Sequence, residues 1–299
     1  MNEIVIQLAE YKTRVEDVLN KVLPSDDTLP TNLHKAMRYA VLGSGKRIRA
    51  ALVYAMGQAY HGNLANLDIP ASMIEIAHAA SMVHDDLPAL DNDDLRRGKP
   101  SCHKMFDEAT AILAGDALLM LCYRVLSAYE TPDVTLTSEQ RLMMVQEFSL
   151  GSGSLGLMGG ELLDIEGENK KLSIKEIERI YLMKTGKFFE IPIVLGLIAA
   201  GIKDATQIKL ARDFAHYFGL AFQIQDDCLE LSVPIEQLGK STNSDHKLNK
   251  ATYPSVLGSN EAEKLYHSLY EKSYDVLKQL PCEQTVLINI VNYVNARRY

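Results

Sequence analysis

The chain has 299 residues, 47% of them apolar, with 39 acidic against 31 basic side chains and a net charge of −8. That apolar content can bury a large core and excludes a disordered or collagen-like chain. The acidic balance argues against nucleic acid as the main partner, because replacing counterions on a phosphate backbone needs a basic face.

The opening segment, MNEIVIQLAEYKTRVEDVLNKVL, carries charges throughout and lacks the order of a signal peptide, so a cytoplasmic chain is expected. Four cysteines (Cys102, Cys122, Cys228 and Cys282) stand far apart without a CxxC pair, which fits a reducing compartment and indicates neither a disulfide scaffold nor a cysteine zinc site. From there on, almost every long segment repeats apolar residues at helical spacing, and none shows sustained strand alternation. Helices are predicted over 3–22, 31–41, 46–60, 69–87, 109–129, 138–150, 157–167, 174–200, 205–231, 261–279 and 284–297. Capping-box spacing marks several starts: Thr137 with Gln140, Ser173 with Glu176, Asp204 with Gln207 and Asn260 with Glu263. Prolines fall mostly between the segments, and Pro192 is expected to kink the one it interrupts. The longest uncharged apolar run, between Glu190 and Lys203, is too short to cross a bilayer, so no membrane span is expected. With no linker-like composition and no tandem repeat, the expectation is one all-α domain over 1–299.

Two carboxylate clusters stand out. His84 to Gly98 reads HDDLPALDNDDLRRG, placing Asp85, Asp86, Asp91, Asp93 and Asp94 directly before Arg96 and Arg97. A solvated loop is the bland reading. Against it, Ile74 to Val83 is an apolar helix that runs straight into Asp85 and Asp86, which puts the carboxylates at a cavity mouth. Downstream, Gln223, Asp226, Asp227 and Glu230 in FQIQDDCLE follow at i, i+3, i+4 and i+7, on one face of an otherwise apolar helix. Buried carboxylates need cations or solvent. Magnesium takes oxygen ligands and commonly completes its shell with phosphate oxygens, so a metal-bridged diphosphate follows. Basic residues supply the complement: Lys46, Arg47 and Arg49 in GSGKRIR, Arg96 and Arg97, and Lys184, Lys240 and Lys250.

Other motifs are discounted. GSGSLG at Gly151 to Gly156 matches GxGxxG but follows a helix with no βαβ pattern around it. GSGK at Gly43 has Ala40 where a P-loop needs its first glycine. Glu75 and His78 form one ExxH, the di-iron spacing, but such bundles need two. His84-Asp85 has the dipeptide of metal-dependent phosphohydrolases, yet the aspartates after it suit phosphate-bridged magnesium better.

In these motifs the chain resembles the trans-isoprenyl diphosphate synthases, most closely the bacterial farnesyl type. LGSGKRIR, EIAHAASMVHDDLPALDNDDLRRGKPSCH, ILAGDALL, MGGELLDIEGE, MKTGKF and FQIQDDCLE occur in that family's order and span nearly the whole chain. The resemblance implies an all-helical homodimer, each bundle built around a deep central cavity. It assigns Lys46, Arg49, His78 and Arg97 to the diphosphate of isopentenyl diphosphate. Arg96, Lys184 and Lys240, with Lys250 nearby, go to the allylic diphosphate. Asp85, Asp86 and Asp91 on one side and Asp226, Asp227 and Glu230 on the other would hold about three magnesium ions. Thr185 and Gln223 would steady the allylic cation.

Several positions depart from the family's pattern. Glu230 stands for the usual aspartate, Val233-Pro234 for a glycine-aspartate, Ala50 for proline and Glu161 for glutamine. The resemblance further implies that residues one and two turns before Asp85 act as successive floors for the growing product, a turn rising about 5 Å. Here they are small: Ala77, Ala80 and Ser81. Farnesyl diphosphate is the expected product, with geranylgeranyl diphosphate as the alternative these small residues permit. A non-catalytic paralogue and a terpene cyclase are the competing classes.

Overall fold

The computed structural model describes residues 2–43, 45–232 and 250–297. Lys240 and the Val233-Pro234 departure lie outside the described residues. Within them the chain is helical: α1 (Asn2–Val22), α2 (Thr31–Val41), α3 (Ile48–Ala59), α4 (Leu64–Asp85), α5 (Cys102–Met105), α6 (Glu108–Ala128), α7 (Ser138–Ser152), α8 (Leu157–Gly167), α9 (Ile174–Tyr181), α10 (Lys187–Ala199), α11 (Ala205–Ser232), α12 (Tyr253–Leu257), α13 (Ser259–Leu277) and α14 (Thr285–Asn295). The only strands among the described residues are β1 (Leu95–Arg96) and β2 (Lys99–Pro100), a minimal antiparallel hairpin that turns the chain back after the aspartate-rich loop.

Three helices form the centre because their sequences are apolar on every side. α3 buries nine of its twelve residues, α10 buries all but Lys187 and Glu190, and α4 is buried along most of its length. α4 lies along α6, α10 packs against both α3 and α11, and α11 lies along α13. Backbones approach closely where glycine allows it. A Cβ on Gly196 would stand 2.7 Å from the Val53 carbonyl oxygen, so α10 can meet α3 only with glycine there.

The predicted helix over 174–200 is interrupted, though not at Pro192. α9 and α10 are joined by a π turn, Leu182–Gly186, closed by the Lys187 amide on the Leu182 carbonyl. Pro192 sits inside α10 without ending it. α4 begins before the predicted 69, because the Asn63 side chain accepts from the Ala65 amide and caps the helix there. The hairpin and the short α5 and α12 were not foreseen. Two capping boxes form as read, at Thr137–Gln140 and Ser173–Glu176. Asp204 caps one way, accepting from the Gln207 amide. Asn260 does not cap, since α13 starts one residue earlier.

One helix, α6, is long and apolar enough by length and composition to cross a membrane, which the sequence reading did not anticipate. It carries Asp116 and Arg124, and buries Ala111, Ala114, Leu118, Cys122 and Val125 in the core it shares with α4. Replacing Gly196 by alanine is expected to force α10 away from α3 and cost about 1–3 kcal/mol, read as a lowered thermal midpoint.

Candidate active site

The start of α3 builds one half of the site. Arg47 takes a left-handed backbone (φ 52°) immediately before the helix, which turns the GSGKRIR segment so that Lys46 and Arg49 flank it. Arg49 lies in the first turn of α3, its guanidinium 5.0 Å from the ring centroids of both Phe188 and Phe189 of α10. His78 arrives from α4, its ring 6.0 Å from that of Phe188. Gly45, Lys46, Arg47, Arg49, His78 and Arg97 all line one cavity of about 1480 Å³. This half of the predicted site therefore assembles.

Burial sets its electrostatics. Desolvation pushes the Arg49 pKa down to about 10 and lowers that of Arg97. Burial first, then the guanidiniums of Arg49, Arg97, Arg96 and Arg47, hold His78 well below the ordinary histidine range, so its imidazole is neutral. Arg49 Nε and His78 Nδ1 are buried polar atoms without a protein partner. A cavity lined by cations, with unpaired buried nitrogens, is built for an anion.

The aspartate-rich loop forms the second half. Asp85 ends α4 and Asp86 caps it, both buried. Arg96 turns back from β1 and donates from Nε to both Asp86 oxygens at 2.9 and 3.2 Å, with Asp93 Oδ2 3.5 Å from its Nη2. Lys250 Nζ reaches Asp91 at 3.4 Å and Asp164 of α8 at 3.2 Å. Lys184, in the π turn, pairs with Asp164 at 2.8 Å and Glu161 at 2.7 Å. Burial alone would push the Lys184 pKa down, but Asp164, Glu161 and Asp85 together drive it above the ordinary lysine range.

The π turn joins this loop to α11. Thr185, next to Lys184, donates to Gln223 Oε1 at 2.9 Å, and Gln223 Nε2 donates to Asp227 Oδ1 at 3.1 Å. The Tyr181 hydroxyl donates to the other Asp227 oxygen. Asp226 departs from the expected common face. It is more exposed, pairs with Arg297 at 2.7 Å, and lines the cavity of Arg49 and His78. Arg297 is held in turn by the Phe222 ring, 3.7 Å away, and by the Phe222 carbonyl. Glu230 is half-buried one turn further along. Of the floor residues, Ala77 and Ala80 are buried, and Ser81 donates to the His78 carbonyl at 3.0 Å.

Asp164, Tyr181 and Arg297 were missed. Asp164 stood in a quoted motif, but only its distance to two lysines reveals its part. Nothing in sequence links Arg297, near the end of the chain, to Asp226.

Among the described residues no three acidic, histidine or cysteine side chains converge as a ready-made metal site. The donors are nevertheless all carboxylates, as a hard divalent cation requires. Burial first, then Glu161, pushes the Asp85 pKa up to about 7, against the opposing pull of Lys184 and Arg96. A carboxyl raised in this way weakens the fold as pH climbs from its unfolded value through 7, because the charge must then form in the interior. Asp85→Asn is therefore expected to raise the melting temperature of the metal-free protein at pH 8, by at most about 4 kcal/mol in stability, with the difference shrinking toward pH 4.

The polyprenyl synthetase family matches this chain over residues 30–285. Farnesyl diphosphate synthase of Escherichia coli is 42% identical over 250 residues, covering 84% of this chain and 83% of that protein. The apo crystal structure of an FPP/GFPP synthase from Zymomonas mobilis superposes with a TM-score of 0.87 at 30% identity, covering 98% of this chain and 99% of that one. Geranyltransferase from Helicobacter pylori, solved with magnesium and isoprenyl diphosphate, superposes at 0.83 with 29% identity and 96% of both chains covered. With its helical fold and its paired cation and carboxylate sets in that family's order, the chain belongs to the polyprenyl synthetases and is a prenyltransferase.

Proposed function

We propose that this enzyme condenses isopentenyl diphosphate with dimethylallyl or geranyl diphosphate to give farnesyl diphosphate, as a single polyprenyl synthase domain. The observation that carries the reading is the separation of two anion-binding sets. Lys46, Arg49, His78 and Arg97 share one cavity, while Arg96, Lys184 and Lys250 are engaged with carboxylates of the neighbouring loop and α8. A reaction that joins two diphosphates and expels one needs two such sites. A terpene cyclase needs only one.

In this reading Lys46, Arg49 and Arg97 hold the diphosphate of isopentenyl diphosphate, and neutral His78 bonds it without adding charge. Asp85, Asp86 and Asp91, with Asp226, Asp227 and Glu230, are the residues that would hold magnesium. Bound there, the ions neutralise the charge that develops on the departing diphosphate. Arg96, Lys184 and Lys250 contact that same diphosphate. The oxygens of Thr185 and Gln223 are joined by a hydrogen bond and face the positive charge left on the allylic carbon. Phe188 and Phe189 wall off water, whose attack on that carbon is the competing outcome. The alkene of the second substrate supplies the electron pair for the new carbon–carbon bond, and its proton leaves to the released pyrophosphate.

The names of the relatives favour the fifteen-carbon product, and the buried Ala80, small and just over one turn before Asp85, favours twenty. A homodimer is part of the proposal. Exposed apolar side chains on α6 (Leu113, Met120) and α7 (Leu142, Leu150) offer a second copy a surface. The four thiols are all free, in keeping with a cytoplasmic enzyme.

Purified protein with magnesium, isopentenyl diphosphate and geranyl diphosphate is expected to release farnesol as the main alcohol after dephosphorylation. Geranylgeraniol would instead give Ala80 and Ser81 the deciding part, and no condensation would favour the non-catalytic class. Arg49→Ala should raise KM for isopentenyl diphosphate at least tenfold while leaving KM for geranyl diphosphate within about twofold, the size expected for one charge-assisted contact.

A further inference from the structure

Glu75 is the residue of the ExxH pair that the site leaves unexplained. Glu75 borders the same cavity as its partner His78 but lies one turn earlier on α4 and is only 3% exposed. Burying a carboxylate that deeply demands partners, and it has two on neighbouring structure. Glu75 Oε1 accepts from the Ala50 amide at 3.0 Å, and Oε2 accepts from Arg47 Nη1 at 3.2 Å. Ala50 is the third residue of α3, so Glu75 supplies from another helix the cap that Arg47, with no capping side-chain bond, does not.

Arg47 is fastened on its remaining sides. Its Nη2 donates to the Val41 carbonyl at 2.7 Å and the Gly43 carbonyl at 3.2 Å, and its Nε to Glu16 of α1 at 3.4 Å. These bonds hold a residue whose φ of 52° is costly for any side chain but glycine. The guanidinium is therefore spent on its own turn although Arg47 borders the cavity, and Lys46 before it and Arg49 two residues after it line the same cavity. Arg49 makes no protein hydrogen bond at Nε and rests on Phe188 and Phe189, so its position depends on where the start of α3 sets its backbone and on those two rings.

We propose that Glu75 is a positioning residue for the isopentenyl diphosphate site, holding the Arg47 turn and the first turn of α3 so that Lys46 and Arg49 meet the diphosphate together. This rests on the function proposed above. In this role Glu75 acts through the Arg47 turn and the α3 amide rather than as a ligand of the diphosphate. A simple electrostatic view makes the opposite forecast, because removing a buried negative charge beside Arg49 and Arg97 would leave the cavity more attractive to an anion.

Steady-state kinetics of Glu75→Gln and Arg47→Lys separate the two. Both variants are expected to raise KM for isopentenyl diphosphate about tenfold, with KM for geranyl diphosphate within about twofold and kcat at saturating substrate within about threefold. Their circular dichroism spectra should remain those of the parent chain. A KM for isopentenyl diphosphate that falls or stays put overturns the proposal, as does a parallel rise in both KM values. Failure of both variants to fold also overturns it, since Glu75 would then serve core stability alone. Parent protein that fails to condense the two substrates would sink the proposed function itself, a result distinct from all of these.

Discussion

The structure is organised around charge that has been taken out of water before any substrate arrives. Asp85, Asp86 and Asp227 lie below the surface, as do Arg47 and Glu75, and a buried ion without a partner is among the costliest things a fold can contain. The chain answers in two ways. Where the charge belongs to the scaffold, as with Arg47 and Glu75, bonds are complete and both groups are fixed. Where it belongs to the site, pairs are provisional or incomplete: Lys184 and Lys250 share Asp164, Arg49 leans on aromatic rings, and Asp85 has its charged form disfavoured. The contrast separates residues that hold the site from residues that act in it.

Backbone irregularity falls at the same places. The π turn at Leu182–Gly186 inserts an extra residue into what would otherwise be one helix, and it does so at Lys184 and Thr185. Lys184 thereby faces α8 while Thr185 faces Gln223 on α11. The turn thus carries, on adjacent residues, the Lys184 pairs to Asp164 and Glu161 and the Thr185 bond that leads through Gln223 to Asp227. The left-handed Arg47 does comparable work before α3, turning the chain sharply enough for residues on both sides of it to line one cavity.

This explains what could be read in the sequence and what could not. Helical periodicity located nearly every long helix, because α3, α4 and α10 are apolar almost throughout and their neighbours carry a clear apolar stripe. Capping boxes were legible where helix ends are exposed and locally closed, as at Thr137 and Ser173. The π turn was not, since nothing in LMKTG distinguishes an i→i+5 bond from an i→i+4 one; tertiary packing decides it. The four residues of the first anion set came from motif resemblance and share a cavity. Asp164, Tyr181 and Arg297 escaped because their meaning lies in partners 20 to 86 residues away. Spacing placed Asp226 and Asp227 on one face, but adjacent residues on a helix diverge, and here one meets Arg297 while the other meets Tyr181.

The lysines bear on how such a site can wait for its ligands. On the proposed function, a diphosphate with its magnesium brings both anions and cations, so the pairs Lys184–Asp164, Lys250–Asp91 and Arg96–Asp86 need not be broken at the full cost of separating buried ions. Each cation can pass from a carboxylate to a phosphate oxygen while each carboxylate passes from a cation to a metal. Each arriving anion thus meets cations already in place and each carboxylate so released meets a metal, which limits the desolvation cost of binding. Glu161 adds one more anion to this exchange, pairing with Lys184 at 2.7 Å beside Asp164. The additional carboxylate adds to burial in disfavouring the ionised form of Asp85, a penalty that a divalent cation bound there would relieve.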